Sequence, residues 1–360
     1  MPFVFLVITL DTLSKFLILI SLFLVSAGAI LGGLIFLPGQ QLEATNNSQQ
    51  QAFSINNKNV DEYFNIPQPA SQIQQPKEAV LMFTGDMMLS RRVGAKTAKQ
   101  GNWRWPFLQI GDYLSQADLT IGNLESVISD QGHNVGSIYS FRADPRMLEG
   151  LTFAGFDVLD PANNHVGDWT RLAFEDSTAR LTNAGISNCG AGANFDEAHT
   201  AVVRQAGSAK IGFLCYTDIA AAPLFAKENQ SGVANMDLTQ LKKDIESAKQ
   251  NVDIIVVQMH TGVEYQPHPN SKQKTFAKTA IDAGANLVVG HHPHVIQDFE
   301  QYKNGWIAYS LGNFIFDQDF SVETRHGQIL KVILQDKTIE SVDLIDVYDS
   351  LNFQVSLSKD

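Results

Sequence analysis

From Ala79 onward the chain alternates short apolar runs with stretches of helical periodicity, and few architectures accept that alternation. AVLMFTG (79–85), DLTIGN (118–123), DVLDPA (157–162), AKIGFLCYT (209–217), DIIVVQM (253–259), NLVVG (286–290) and WIAYSLG (306–312) read as strands. Between them, 105–117, 146–156, 169–185, 238–251 and 271–284 read as helices, two of them stopped by Gly185 and Gly284. The tail, GQILKVILQD followed by TIESVDLIDVY, alternates as an antiparallel pair does. Residues 78–360 therefore predict an α/β body, with one mixed sheet or two packed sheets and helices outside. With 44% apolar and 18% charged residues, the chain has the balance to bury such a core.

The strand ends carry the chemistry. Six of the runs are followed by Asp86, by Asn123-Leu124-Glu125, by Asn163-Asn164-His165, by His260, by His291-His292-Pro293-His294, and by Asn313. Ligands of α/β folds bind outside the carboxyl ends of strands, so these side chains are expected to converge. A single polar residue at a strand end is usually a turn or helix cap. Six together, all of metal-ligand type, point instead to a shared ion site. With only two cysteines, Cys189 and Cys215, the set lacks the thiolates of a structural zinc site; both are expected as buried free thiols, with a disulfide pair open if the body lies outside the cell. Carboxylate, imidazole and amide oxygen suit two divalent ions drawn from Mn, Zn, Fe or Mg, bridged by a carboxylate.

Charge narrows the partners. Lys and Arg number 26 against 38 Asp and Glu, a net charge of −12, which excludes a nucleic-acid binder that tracks phosphates. An anionic substrate would need a metal or a few placed arginines, for which Arg91, Arg92, Arg142 and Arg325 are available. Residues 16–37, FLILISLFLVSAGAILGGLIFL, form a charge-free run long enough to cross a lipid bilayer and longer than the apolar region of a cleaved leader. Lys15 precedes the run and the next lysine is Lys58, so residues 1–15 are expected in the cytoplasm and the body outside. The Gln-, Asn-, Ser- and Pro-rich residues 38–77 read as a disordered tether.

Seven ordered blocks span about Ala79 to Gln318. They are Thr84-Gly85-Asp86-Met87-Met88-Leu89 with Arg91 and Arg92, Gly122-Asn123-Leu124-Glu125, Asn163-Asn164-His165 with Asp168, and Gly190-Ala191-Gly192. Then come His260-Thr261-Gly262-Val263-Glu264-Tyr265, Gly290-His291-His292-Pro293-His294, and the run from Ser310 to Gln318. In these the body resembles the poly-γ-glutamate capsule-synthesis (CapA) family, a branch of the calcineurin-like metallophosphoesterase fold. The resemblance implies an αββα sandwich of two mixed sheets with helices outside, preceded by one transmembrane helix. It implies one metal on Asp86, Glu125 and His294, and a second on Glu125, Asn164, His260 and His292. Met88 stands where the phosphoesterase pattern has a further histidine ligand. His165 takes the place of the general acid and Asp168 could orient it. Arg91, Arg142 and Asn313 are expected to touch substrate. Glu264 and Asp317 suit capping or hydrogen bonding as well as a direct role. The implied function is a metal-dependent hydrolase or transferase acting on an anionic polymer such as poly-γ-glutamate, beside membrane-embedded synthase subunits. The alternative is a polymer-binding or export subunit with a degenerate metal site.

Overall fold

The computed structural model describes residues 78–358, so the expectations for the cytoplasmic segment, the membrane run and the tether concern residues outside the described ones. Among the described residues no helix is long and apolar enough to cross a membrane.

The runs of the body form two principal sheets. The larger has eight strands. Glu78–Met87 lies at its centre, between Leu119–Leu124, which runs parallel to it, and His326–Gln335, which runs antiparallel. Phe156–Asp160 and Ser187–Asn188 extend the parallel side, while Thr338–Asp349 and Val355–Leu357 extend the antiparallel side. The short strand Asn313–Ile315 pairs parallel with the end of Glu78–Met87. The second sheet has six strands, with Ala209–Thr217, Ile254–His260, Leu287–His291 and Gly305–Ala308 parallel in that order and antiparallel strands at both edges.

Side-chain alternation along Glu78–Met87 shows how the sheets stack. Ala79, Leu81 and Phe83 pack against Ile211, Phe213, Val256 and Val289 of the second sheet. Met82 and Met87 face the other way, onto Phe107, Leu114 and Leu151. The far face of the second sheet, including Leu214, Ile255 and Val288, is covered by Leu241 and Ile245 of helix Leu238–Ala248 and by Phe276 and Ile281 of helix Ser271–Ala283. The order of layers is thus helix, sheet, sheet, helix, as the resemblance implies. Burial on both faces explains why the parallel strands read as continuous apolar runs.

Local signals account for the helix ends. Asn270 and Gln273 form a capping box at the start of Ser271–Ala283, and Gly284 ends it with φ 116°. The expected helix over 105–117 is instead a 3-10 turn, Trp105–Phe107, and a short helix, Gly111–Leu114. Pro106 sits in the first turn of the 3-10 segment, and Gly111 lies under the Phe153 ring, where a Cβ would be 2.5 Å from it. The 146–156 stretch likewise splits into Pro145–Met147 and Leu148–Phe153. Helix Arg91–Gln100, whose buried face is Val93 and Thr97, and the edge strands Val202–Ala206 and Phe299–Tyr302 are additions to the expected elements.

The cysteines correct the sequence reading. Cys189 and Cys215 are not free thiols; they are joined in a disulfide that links the two sheets inside their shared core. Their separation of 26 residues gave no hint, because the partners meet only when the sheets pack.

Candidate metal centre

Backbone contact between the sheet ends sets the site. A Cβ on Gly85 would lie 2.0 Å from the Gly312 carbonyl oxygen, so only glycine lets these segments meet. The contact is closed by the Asp86 N–H, which donates to that carbonyl at 2.9 Å. Asp86 is thereby placed, fully buried, at the mouth between the sheets. From the neighbouring strand Asn123 donates to Asp86 Oδ1 at 2.8 Å and to Glu125 Oε1 at 3.1 Å, spacing the two carboxylates with one amide.

The second sheet brings imidazoles to these acids. His291, the last residue of its strand, approaches Asp86 Oδ1 through Nδ1 at 3.2 Å, with Gln258 behind it at 3.3 Å. His292 donates its backbone N–H to Asp86 Oδ2 at 3.1 Å. His292 and His294 have positive φ angles of 97° and 58°, so the turn that aims them is in a region rarely used outside glycine. Asn313 accepts from His294 Nδ1 at 2.9 Å. An amide oxygen only accepts, so Nδ1 carries a proton and Nε2 is the nitrogen a metal would take, in place of the proton it holds without one. That nitrogen is 4.0 Å from Glu125 Oε2.

The six expected ligands form one connected set. Ligand atoms of Asp86, Glu125 and His294 lie within 4.8 Å of one another. Asn164 Oδ1 meets His260 Nε2 at 2.9 Å, and the His260 ring is 5.1 Å from that of His292, which lies 5.9 Å from His294. His165 and Asp168 sit at the rim as a pair, Nδ1 to Oδ2 at 2.8 Å, with His165 Nε2 3.9 Å from Glu125 Oε2. Phe141 stacks on the His165 ring and donates its N–H to Asp168.

The other expected residues fall differently. Asn313 is buried, with its amide committed to Gln318 and the Thr324 carbonyl, so it orients His294 instead of meeting substrate. Arg91 lines the pocket but is paired with Asp317 and lies over Phe141. Arg142 packs on Trp169 with its guanidinium 3.6 Å from the ring centroid, and bonds the Gln131 carbonyl, away from the pocket lining. Met88 is buried in the core, with its sulfur facing the Ser90 N–H and hydroxyl. Asp317 holds both Arg91 and Arg92. His291 and Gln258 were not singled out. The histidine block contained the first; the second, mid-strand and apolar-flanked, gave no signal.

The residues fit a bound cation. Two fully buried carboxylates face only imidazoles and amides. Burial drives Glu125 well above the usual carboxylate range, the charge of Asp86 adding to this and that of His294 opposing it. Burial also works against ionised Asp86, yet its bonds to His291 and His294 and their charges hold it well below the usual range. His294, lowered by burial, is raised to about 9 by Glu125 and Asp86. His260 is pushed well below its ordinary value by burial and then by His292, and His292 falls to about 4 by burial and then by His294. Glu125 Oε2, His260 Nδ1 and His292 Nδ1 are buried without a hydrogen-bond partner. Unpaired buried acceptors beside a negative charge are what an ion would satisfy. Above them opens a cavity of about 330 Å³ whose walls include Tyr139, Phe141, His165, Tyr265 and Phe320.

Fold and site together define a two-sheet α/β domain with a metal-binding type of carboxylate–imidazole pocket at its strand ends. The chain belongs to the bacterial capsule synthesis protein family PGA_cap, which matches residues 80–318. It is 32% identical to the capsule biosynthesis protein CapA of Bacillus anthracis over 76% of this chain and 68% of that one. It is 31% identical to the PGA biosynthesis protein CapA of Bacillus subtilis, over 70% and 67%. Among solved structures, a 5'-nucleotidase precursor from Thermus thermophilus is similar with a TM-score of 0.45 and 12% identity, over 78% of this chain and 54% of that one.

Proposed function

We propose that the chain is a divalent-metal-dependent hydrolase or transferase acting on an anionic capsular polymer of the poly-γ-glutamate type. In this reading residues 16–37 anchor it in the membrane with the body outside, beside membrane-embedded synthase subunits. The observation that carries the reading is the meeting of Asp86, Glu125 and His294 around unpartnered buried atoms. The family and the names of the relatives support the polymer. The Cys189–Cys215 disulfide suits an oxidising compartment.

Asp86, Glu125 and His294 would hold one ion, and Glu125, Asn164, His260 and His292 a second. Bound there, the metal would supply Lewis acidity toward a phosphoryl or acyl oxygen and would acidify a water. Glu125 places one carboxylate between both ligand groups. His165, held through Nδ1 by Asp168, turns Nε2 toward the site beside the Asn164 amide at 3.0 Å, and as an imidazolium can deliver a proton to a leaving group. The nearby arginines are occupied, so the positive charge that draws a carboxylate-rich chain into this acidic molecule comes from the centre itself.

One feature favours the non-catalytic reading: Met88 is turned into the core and supplies no ligand. The test is to incubate purified full-length protein with poly-γ-glutamate and with a chromogenic phosphodiester, with Mn²⁺ or Zn²⁺ and with chelator. Metal-dependent cleavage lost in Glu125→Gln supports the enzyme. Bound metal without turnover of either compound supports the polymer-guiding subunit, and absence of both overturns the metal centre.

A further inference from the structure

We propose that Glu264 is a metal ligand, closing the solvent side of the centre beside His292. This rests on the metal reading above and adds a residue to it. Glu264, His292 and His294 place ligand atoms within 4.8 Å of one another, a second triad that shares His294 with Asp86 and Glu125. His292 is buried, and its Nδ1 has no hydrogen-bond partner.

The placement of Glu264 is built into the backbone. Tyr265, the next residue, donates its N–H to the Pro293 carbonyl at 2.8 Å, so the Glu264 segment is bonded to the turn that carries His292 and His294. Tyr265 adopts a positive φ of 62°, and its ring lies 6.1 Å from that of His294. Its hydroxyl accepts from Gln318 at 3.0 Å, fixing the ring at the pocket mouth. The carboxylate therefore stands over the two imidazoles by covalent attachment to a pinned neighbour. Its exposure sets it apart from buried Asp86 and Glu125: it lies on the cavity wall, where an incoming carboxylate or phosphate oxygen could take its place.

The consequence is two unequal positions. The deep one, on Asp86, Glu125 and His294, does not depend on Glu264. The outer one, on His292 with Asn164 and His260, does. Calorimetric titration of chelator-treated, full-length protein with Mn²⁺ and Zn²⁺, with metal content of the same samples, separates them. In Glu264→Gln one binding event is expected to weaken at least 10-fold or vanish, while the tighter one persists. The melting temperature of the metal-free variant should match the wild type, because the side chain is exposed. Glu264→Asp, which keeps the charge, should recover part of the loss. Equal affinities and stoichiometry in wild type and Glu264→Gln overturn the assignment and leave the deep site standing. Failure of the wild type to bind any ion overturns the metal centre as a whole.

Discussion

At the scale of single residues, the proposed roles separate by what a substitution leaves intact. His165 is assigned a proton, not an ion. In His165→Ala metal content is expected to stay at the wild-type level while turnover falls on the order of 10²–10⁴-fold. The loss should shrink for substrates whose leaving groups need no protonation. Unchanged turnover with a lowered melting temperature would reduce His165 to a packing partner of Phe141 and Asp168. Asp349 makes a different prediction, about stability. Burial lifts its carboxyl to about 7, with one oxygen accepting from the Phe316 N–H and the other unpaired. The folded form then holds a proton that the unfolded chain releases near pH 4. Stability is lost as pH rises from about 4 to about 7 and is level above, at most ~1.4 kcal/mol per pH unit. Asp349→Asn should flatten that part of the stability profile; an identical slope in both proteins would contradict the assignment. Most ligands were legible because each follows an apolar strand. Asn313 was misjudged because a strand-end amide looks the same whether it meets substrate or holds a histidine. Asp349 stood at the end of a tail whose alternation said nothing of its neighbours.

At the scale of elements, legibility followed periodicity. The buried parallel strands and the two capped helices over the second sheet lie within a few residues of their expected places. The region 105–156 was harder. Its helical spacing is real, but the chain runs as 3-10 turns at Trp105–Phe107 and Pro145–Met147 before each short helix. The disulfide belongs to this scale, since it links Cys189, beyond the edge strand Ser187–Asn188, to the strand Ala209–Thr217 of the other sheet. Closing a loop of this size constrains the unfolded chain by about 3–4 kcal/mol. A Cys189→Ser, Cys215→Ser double variant should unfold at a lower denaturant concentration, and reductant should lower the wild type toward it. Two thiols titrating in denatured wild type without reductant would show the sulfurs unpaired in solution.

At the scale of the whole molecule, the two sheets divide the work. The eight-stranded sheet contributes the carboxylates Asp86 and Glu125, and the six-stranded sheet the imidazoles of His260, His292 and His294. The group of Asp86, Glu125 and His294 draws on both sheets, so the deep position exists only where they pack. Sequence showed the donors in order along the chain; it could not show that Asn123, Gln258 and Asn313 would space and aim them, since those contacts cross between strands and sheets. The most direct test is anomalous diffraction from crystals of the protein grown with Mn²⁺ or Zn²⁺. The account predicts an anomalous peak within ~2.0–2.3 Å of side-chain atoms of Asp86, Glu125 and His294. Crystals soaked to saturation that show no peak in that pocket, with the three side chains arranged as here, would contradict it.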